Sequence, residues 1–477
     1  MRNPARIPGI KPAFILSLCA LTGCTVGEIK DTSGGALQDV NVIAYGQCSG
    51  DGCAANEVVT PVPGGSMTGY QTSSTEEGHY LYDPYAVHVA PEDAMAIEQG
   101  DASGQDFYKI QYSKPGYQDT WLDYTPDFQS HVHEGKEYFI TEVPQVYLCE
   151  EGATDSDGDR ICDAAELQYG TDPSKSDTDG DGEYDDQELF GSGSPFTPGV
   201  RGLLHYNINV SDFEVSKSFY QLLGFRTLIQ VDVDVSDPAE AQGLNLPPYT
   251  LRAAPMGLSD GFIIDLIQFY SPFDPEPPHD DIYSLGLATL SLKTDNLAAD
   301  IVTLEDHDIA YSVLLENRAG PVVIRFSDPD GAVILLTQTS DNKGFNSSAE
   351  TYIHGLFSSN INVSDYARAV AFYQKAGFRV VREKAGIATI ALQDGRHFTL
   401  TESSSSDLAY EDVNHLGIAR IALETTDIEQ DIRVLTEAGI DFYTSEPVTP
   451  SGPLNILRYV CFEDPDGTVI ELVQYNN

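Results

Sequence analysis

Asn207-Ile208-Asn209-Val210-Ser211-Asp212 recurs letter for letter as Asn360-Ile361-Asn362-Val363-Ser364-Asp365. At the same spacing Phe219-Tyr220 returns as Phe372-Tyr373, and Gly224-Phe225 as Gly377-Phe378. A self-match of this kind marks a duplicated structural unit. In the upstream copy, Leu204 to Val210 alternates like a strand. Asp212 then N-caps a helix with Val215, Phe219, Leu222 and Leu223 as its apolar face, and Gly224 ends it. Three strands follow, closing with Phe262 to Tyr270. A second β-α-β-β-β set runs from Leu287 to Gln338, with a helix near Leu297 to Leu304 and the turn Asp328-Pro329-Asp330-Gly331 before its last strand. The downstream copy repeats both sets, with helices after Asp365 and Asp427 and the turn Asp464-Pro465-Asp466-Gly467. Four βαβββ modules are therefore expected, an α+β arrangement.

The chain of 477 residues is too long for a single core, and 41% hydrophobic residues suffice to fill several. A net charge of −48 excludes a nucleic-acid binder and disfavours docking on anionic lipid by charge, whereas it suits divalent cations.

Arg2, Arg6 and Lys11 precede a short apolar run from Ala13 to Thr22, which has the length of a signal h-region and is too short to span a bilayer. It ends in Leu21-Thr22-Gly23-Cys24. That ending resembles the bacterial lipobox, which implies a signal peptide over 1–23, lipid on Cys24 and a membrane anchor instead of a span. Thr25 after the cysteine leans, by the same resemblance, towards the outer membrane of a Gram-negative envelope. The seven cysteines fit an oxidising compartment. Cys48 and Cys53 bracket a Ser-Gly-Asp-Gly loop and are read as one pair, and Cys149 and Cys162, which bracket an acidic loop, as another. Cys461, in an apolar strand pattern, is read as a buried thiol.

Residues 24–148 read as all-β, from short alternating runs such as Val40-Asn41-Val42 and Tyr80-Leu81-Tyr82. With the turn Lys114-Pro115-Gly116-Tyr117, they resemble the carboxypeptidase regulatory-like (transthyretin-like) β-sandwich, which implies a spacer or binding module. His131-Val132-His133-Glu134 is read as a polar loop.

Asp155, Asp157, Asp159, Asp163 and Glu166 stand at positions 1, 3, 5, 9 and 12 of a loop, and Asp177, Asp179, Asp181, Asp185 and Glu188 repeat the spacing. Carboxylates at alternate residues of a tight loop converge on one hard cation such as Ca²⁺; position 7, here Ile161 and Glu183, would add its carbonyl. Position 6 prefers Gly, so the second loop, with Gly182, should bind more tightly than the first, with Arg160. The stretch 149–190 resembles thrombospondin type 3 calcium repeats. Residues 191–202 and 341–352 read as linkers.

"LHYNINVSDFEVSKSFYQLLGF" and "FSSNINVSDYARAVAFYQKAGF" resemble the first module of vicinal-oxygen-chelate (glyoxalase, bleomycin-resistance, extradiol dioxygenase) domains, and "FSDPDGAVILLTQ" and "FEDPDGTVIELVQ" the end of the second. The resemblance implies domains at 203–340 and 353–477, each a cup holding a metal or small ligand. Its metal positions are a His seven residues before the capping Asp and an acid on each module's last strand. His205 fits, Asp265 supplies an acid, and Glu471 is intact. Ala288, Ser358 and Ala419 or Arg420 replace the other histidines, and Leu335 and Thr399 the other acids.

A catalytic divalent site needs about three protein ligands and an open position, and pairing in chain order, which we expect, gives neither cup a set of three. Some family members pair the first module with the fourth, and that alone would unite His205, Asp265 and Glu471 around a divalent transition metal. The sequence thus points to an envelope-anchored, calcium-binding lipoprotein whose tandem domains bind a small molecule, with no catalytic residue assigned. A metal-dependent lyase, isomerase or dioxygenase and a purely structural surface protein are the competing classes.

Overall fold

A computed structural model describes residues 24–46, 70–73, 79–82, 108–124, 129–133, 136–143, 145–190, 194–317, 320–339, 351–384, 386–392, 396–405 and 412–476. Residues 1–23, read as a signal peptide, Cys48 and Cys53, read as a pair, and all of the linker 341–352 except Thr351 and Tyr352 lie outside them. The chain forms two compact units: residues 1–169 with 190–192, and residues 170–189 with 193–477. Among the described residues no helix is long and apolar enough to cross a membrane.

The first unit carries strands β1 (Cys24–Asp31), β2 (Asn41–Gly46), β3 (Tyr70–Ser73), β4 (His79–Tyr82), β5 (Tyr108–Ser113), β6 (Thr120–Tyr124), β7 (Gln129–His133), β8 (Lys136–Glu142) and β9 (Val146–Leu148). One sheet runs β4-β1-β8-β7 with β9 also on β1, and another runs β3-β2-β5-β6. Ile29, Val42, Ile110, Tyr112, Leu122 and Val146, from both sheets, share one core. His131 to His133 form part of β7 and not a polar loop; their partners are Tyr138, Glu137 and Lys136 of β8. Cys149 and Cys162 are disulfide-bonded, which ties the end of β9 to the short helix α1 (Asp163–Tyr169).

The second unit opens with helix α2 (Asp185–Leu189). The first module then comprises β10 (Val200–Asn209), α3 (Phe213–Leu222), β11 (Arg226–Thr227), β12 (Val231–Val235), α4 (Pro238–Gly243), β13 (Thr250–Gly257) and β14 (Ile263–Ser271). The second has β15 (Gly286–Thr294), α5 (Leu297–Asp306), β16 (Ser312–Asn317), β17 (Gly320–Ser327) and β18 (Val333–Gln338). The third has β19 (Ile353–Val363), α6 (Tyr366–Lys375), β20 (Arg379–Lys384), β21 (Ile387–Ala391) and β22 (His397–Glu402), and the fourth β23 (Gly417–Thr425), α7 (Ile428–Glu437), β24 (Leu457–Glu463) and β25 (Val469–Tyr475).

The caps form where the repeat places them. Asp212 accepts from the backbone N–H groups of Glu214 and Val215, and Asp365 from that of Arg368. The buried face of α3 is Phe213, Ser216 and Tyr220, while Val215 is exposed. Of the expected face, Leu223 is buried and Phe219 packs against the core, and Val215 alone stands out as exposed; the Tyr220 hydroxyl reaches in to Asp328, 3.0 Å away, and Tyr373 repeats the contact with Asp464 at 2.9 Å.

The sheets overturn the chain-order pairing. One runs β11-β13-β14-β10-β23-β25-β24, the other β16-β17-β18-β15-β19-β22-β21-β20. Module one therefore shares a sheet with module four, and module two with module three, so 203–340 and 353–477 are not two separate cups. The first strands join antiparallel, β10 on β23 and β15 on β19. Modules adjacent in sequence still touch, but on the helix side, through Tyr220–Asp328 and Tyr373–Asp464. Residues 194–200, read as linker, are buried, and the N–H of Gly199 donates to Asp431 at 2.8 Å.

Candidate functional site

In the sheet of modules one and four, Tyr206, Ile208, Ile264, Leu266, Ile421, Leu423, Ile470 and Leu472 pack in the helix-side core. Period-two alternation turns their neighbours His205, Asn207, Asp265, Arg420, Ala422 and Glu471 to the other, concave face. Register brings them together: Asn207 lies opposite both Asp265 and Arg420, and Ala422 opposite both His205 and Glu471. Around them an apolar wall includes Val231, Leu244, Phe269, Val448, Tyr459 and Cys461. The free Cys461 is buried, and burial raises its thiol well above the ordinary range.

Arg420 is the residue the sequence reading left unresolved against Ala419. Ala419 lines a cleft at the crossover beside Pro278, His415 and Thr468, while Arg420 enters the cup. Its Nε donates to Glu471 Oε2 at 2.8 Å, and the two residues are 5% and 6% exposed. Burial, opposed by the nearby Glu471 and joined by the Arg420 charge, pushes the partly buried His205 down to about 4, so its imidazole is neutral at pH 7. Burial pushes Asp265 up to about 7; Arg420 pulls the other way and Glu471 adds to the rise.

A divalent transition metal does not fit this cup. Among the described residues, sets of three ligand atoms within 4.8 Å of one another occur only in the acidic loops, and His205, Asp265 and Glu471 make none. The physical reason is Arg420: its guanidinium already neutralises Glu471, and its charge would repel a second cation in the same low-dielectric space. The correction is therefore double. The three residues do share a cup, against the chain-order expectation, and yet they do not assemble as ligands.

Two insertions close this cup alone. Residues 236–249 carry α4 between β12 and β13, whereas in module three β20 ends at Lys384 and β21 begins at Ile387. In module four residues 438–456 run from α7 to β24, whereas in module two residues 307–319, which carry β16, run from α5 to the matching strand β17; the second strand expected in module four is reduced to the isolated bridges Phe442–Phe462 and Val448–Tyr459. The insertions meet where the Ser451 N–H donates to the Glu240 carboxylate, and the Tyr459 hydroxyl of β24 donates to the Glu240 carbonyl at 3.1 Å. The other cup presents Ser291, Ser358, Thr289, Asn360 and Thr399 and has no acid at Leu335 or Thr399.

The acidic loops adopt one geometry twice. Asp155 accepts from the N–H groups of Gly158 and Arg160, as Asp177 does from those of Gly180 and Gly182. Asp163 accepts from Ser156 N and Oγ, and Asp185 from Thr178 N and Oγ1, all at 2.7–2.8 Å. Position 6 has φ +81° at Arg160 and +102° at Gly182, so the left-handed backbone that favours Gly is present in both. The carboxylates of Asp155, Asp157 and Asp159 converge, as do those of Asp177, Asp179 and Asp181. In the second loop Asp179 and Glu188 are 3% and 2% exposed, and Asp179 Oδ2 and Glu188 Oε2 are buried without a hydrogen-bond partner. Burial and the neighbouring carboxylates raise Asp179 to about 7 and Glu188 to about 9. Buried carboxylate oxygens left unmatched fit a bound cation. The carbonyl of Glu188 accepts from Arg379 at 2.7 Å and that of Gly180 from Gln430 at 3.2 Å, so the second loop is seated on modules three and four.

Sequence reasoning missed Asn207, the Arg420–Glu471 pair and both insertions. Asn207 was visible as the first letter of the duplicated hexapeptide. The ion pair had no local signal, because its members are 51 residues apart.

One expected result follows from Asp265. A carboxyl whose folded value, about 7, lies above its unfolded value, 3.8, destabilises the fold as pH rises through that window. Asp265→Asn should therefore gain about 2 kcal/mol more over the native protein at pH 8 than at pH 5. Urea unfolding at both pH values measures it, and equal gains would mean that Asp265 is not held in a desolvated site.

No curated protein matches the chain. Among solved structures it is similar to glyoxalase I from Zea mays, at 19% identity over 58% of this chain and 93% of that one, with a TM-score of 0.43. It is also similar to a glyoxalase family protein from Enterococcus faecalis (22%, 28% and 96%, TM-score 0.22) and to the cppA protein of Streptococcus pneumoniae TIGR4 (10%, 58% and 99%, TM-score 0.35). Residues 355–472, which span the third and fourth modules, match the family model of the Glyoxalase/Bleomycin resistance protein/Dioxygenase superfamily.

Proposed function

We propose that this protein is a lipid-anchored envelope protein that holds calcium in its acidic loops and binds a small organic ligand in the cup of modules one and four, without a transition metal. The observation that carries the cup reading is the buried Arg420–Glu471 pair: a fixed guanidinium stands among the candidate ligands and offers a hydrogen-bond donor in place of a Lewis acid. His205, Asp265 and Asn207 then orient and select the ligand and are not metal ligands. The cup is apolar-walled with a few convergent polar groups, the usual make-up of a small-molecule site. Calcium would be held by Asp177, Asp179, Asp181 and Glu188 with the Glu183 carbonyl, and by Asp155, Asp157, Asp159 and Glu166 with the Ile161 carbonyl. Asp163 and Asp185 would brace the two loops through Ser156 and Thr178.

The enzyme reading draws on one observation, the presence of His205, Asp265 and Glu471 in a single cup. Elemental analysis of the full chain, after calcium is stripped, separates the two. We expect less than about one-tenth equivalent of zinc, nickel, manganese or iron. One equivalent that disappears in His205→Ala would establish the metalloenzyme.

The anchor reading rests on the Leu21-Thr22-Gly23-Cys24 ending. Cys24→Ala should release the protein from the membrane fraction or block its processing. Normal maturation and fractionation with membranes would remove the lipoprotein reading.

A further inference from the structure

Three neighbouring strands of the cup carry a line of polar side chains whose hydrogen bonds are incomplete. Asp265 on β14, Asn207 on β10 and Arg420 on β23 are register partners in turn. Asp265 Oδ1, both amide atoms of Asn207 and Arg420 Nη1 are buried without a hydrogen-bond partner. The Asn207 amide lies within reach of the His205 imidazole and raises its proton affinity, but neither amide atom meets it in full hydrogen-bonding geometry. Asn207 and Arg420 are 1% and 5% exposed. Leaving such groups unmatched is costly in an apolar surround, and the sheet holds them in a fixed order. From β14 to β23 they present an acceptor, a donor with an acceptor, and a donor, on strands about 4.8 Å apart.

We propose, building on the cup reading, that this line recognises an uncharged planar molecule by a lactam or amide edge, with its N–H on Asp265 and its C=O on Arg420 and Asn207. Three features select that class. First, Glu471 already balances the Arg420 charge, so a ligand carboxylate would face Asp265 and Glu471 with one guanidinium among three carboxylates. Second, the line sets an acceptor on Asp265 and a donor on Arg420 on either side of Asn207, and an amide carries one donor and one acceptor in fixed roles, which a diol or a carboxylate does not. Third, the wall beside the line is aromatic: Phe269 and Tyr249 meet edge to face at 5.6 Å, and Tyr459 packs in the same cluster. Ring faces of this kind favour a planar body. Asp265 and His205 are partly exposed, so the line remains reachable from solvent.

The test uses three bicyclic probes of similar size on the full chain, followed by ligand-observed NMR titration. They are 2-quinolone, a lactam; 2-naphthoate, a carboxylate; and 2,3-dihydroxynaphthalene, a diol. We expect 2-quinolone to bind at least about tenfold more tightly than the other two, the size of one well-formed buried hydrogen bond. N-Methyl-2-quinolone, which lacks the N–H, should lose about tenfold, and Asp265→Leu should weaken 2-quinolone by the same factor while leaving the N-methyl compound unchanged. That crossed pattern cannot arise from misfolding, which would weaken both compounds. Tighter binding of 2-naphthoate or the diol would overturn the lactam assignment and leave the cup as a ligand site. Binding of none of the three, or an equal effect of Asp265→Leu on both quinolones, would also overturn it.

Discussion

Arg420→Ala is expected to destabilise the second unit by about 3–5 kcal/mol, the usual cost of stranding one member of a buried ion pair. The substitution leaves the Glu471 carboxylate, 6% exposed, facing Asp265 with no cation between them. It also deletes a side chain from a packed wall. Most of that loss should come from the stranded charge and not from the missing attraction, because taking two charges out of water offsets much of their mutual energy. The double variant Arg420→Met with Glu471→Leu should therefore return to within about 1 kcal/mol of the native protein. Urea unfolding of the three proteins at one pH measures both statements. A single variant as stable as the native chain would show that Arg420 is not the counter-ion of Glu471, and the argument against a metal would fall with it.

Calcium should raise the stability of the second unit by about 2.7 kcal/mol at a free concentration one hundred times its dissociation constant. The reason is the pair of buried, unmatched oxygens on Asp179 and Glu188, set in a loop that Arg379 and Gln430 hold against modules three and four. A cation there relieves repulsion among Asp177, Asp179 and Asp181, and the relief reaches the folded body through those two side chains. Chelation should lower the melting temperature and open residues 170–189 to protease. Glu188→Gln should abolish most of the calcium effect, and more of it than Glu166→Gln does. In the first loop, Arg160 sits at φ +81°, where a side chain costs about 1–3 kcal/mol; Arg160→Gly should tighten calcium binding there. Identical melting curves and digestion patterns with and without chelator would sink the calcium proposal.

Much of this molecule was legible in the chain. The hexapeptide repeat located the modules, because a strand must alternate and a helix must be capped, and Asp212 and Asp365 do cap theirs. The tandem Asp spacings located both acidic loops, because one loop geometry recurs wherever the same donors and acceptors recur in order. The pairing of the modules was not legible. β10, β15, β19 and β23 are near-equivalent first strands, and each offers a similar face to any of the others. Local pattern is satisfied by β10 on β15 or on β23, and register with distant chain makes the choice. That choice decided the site. It placed Arg420 of module four beside Asn207 and Asp265 of module one, and it brought α4 over the same cup. An ion pair spanning two strands, and a row of polar groups spanning three, exist only once the sheet has closed. Sequence alone named His205, Asp265 and Glu471 from the family's ligand positions; tertiary structure decided that the cation among them is a guanidinium, because desolvated charge must be balanced where it lies.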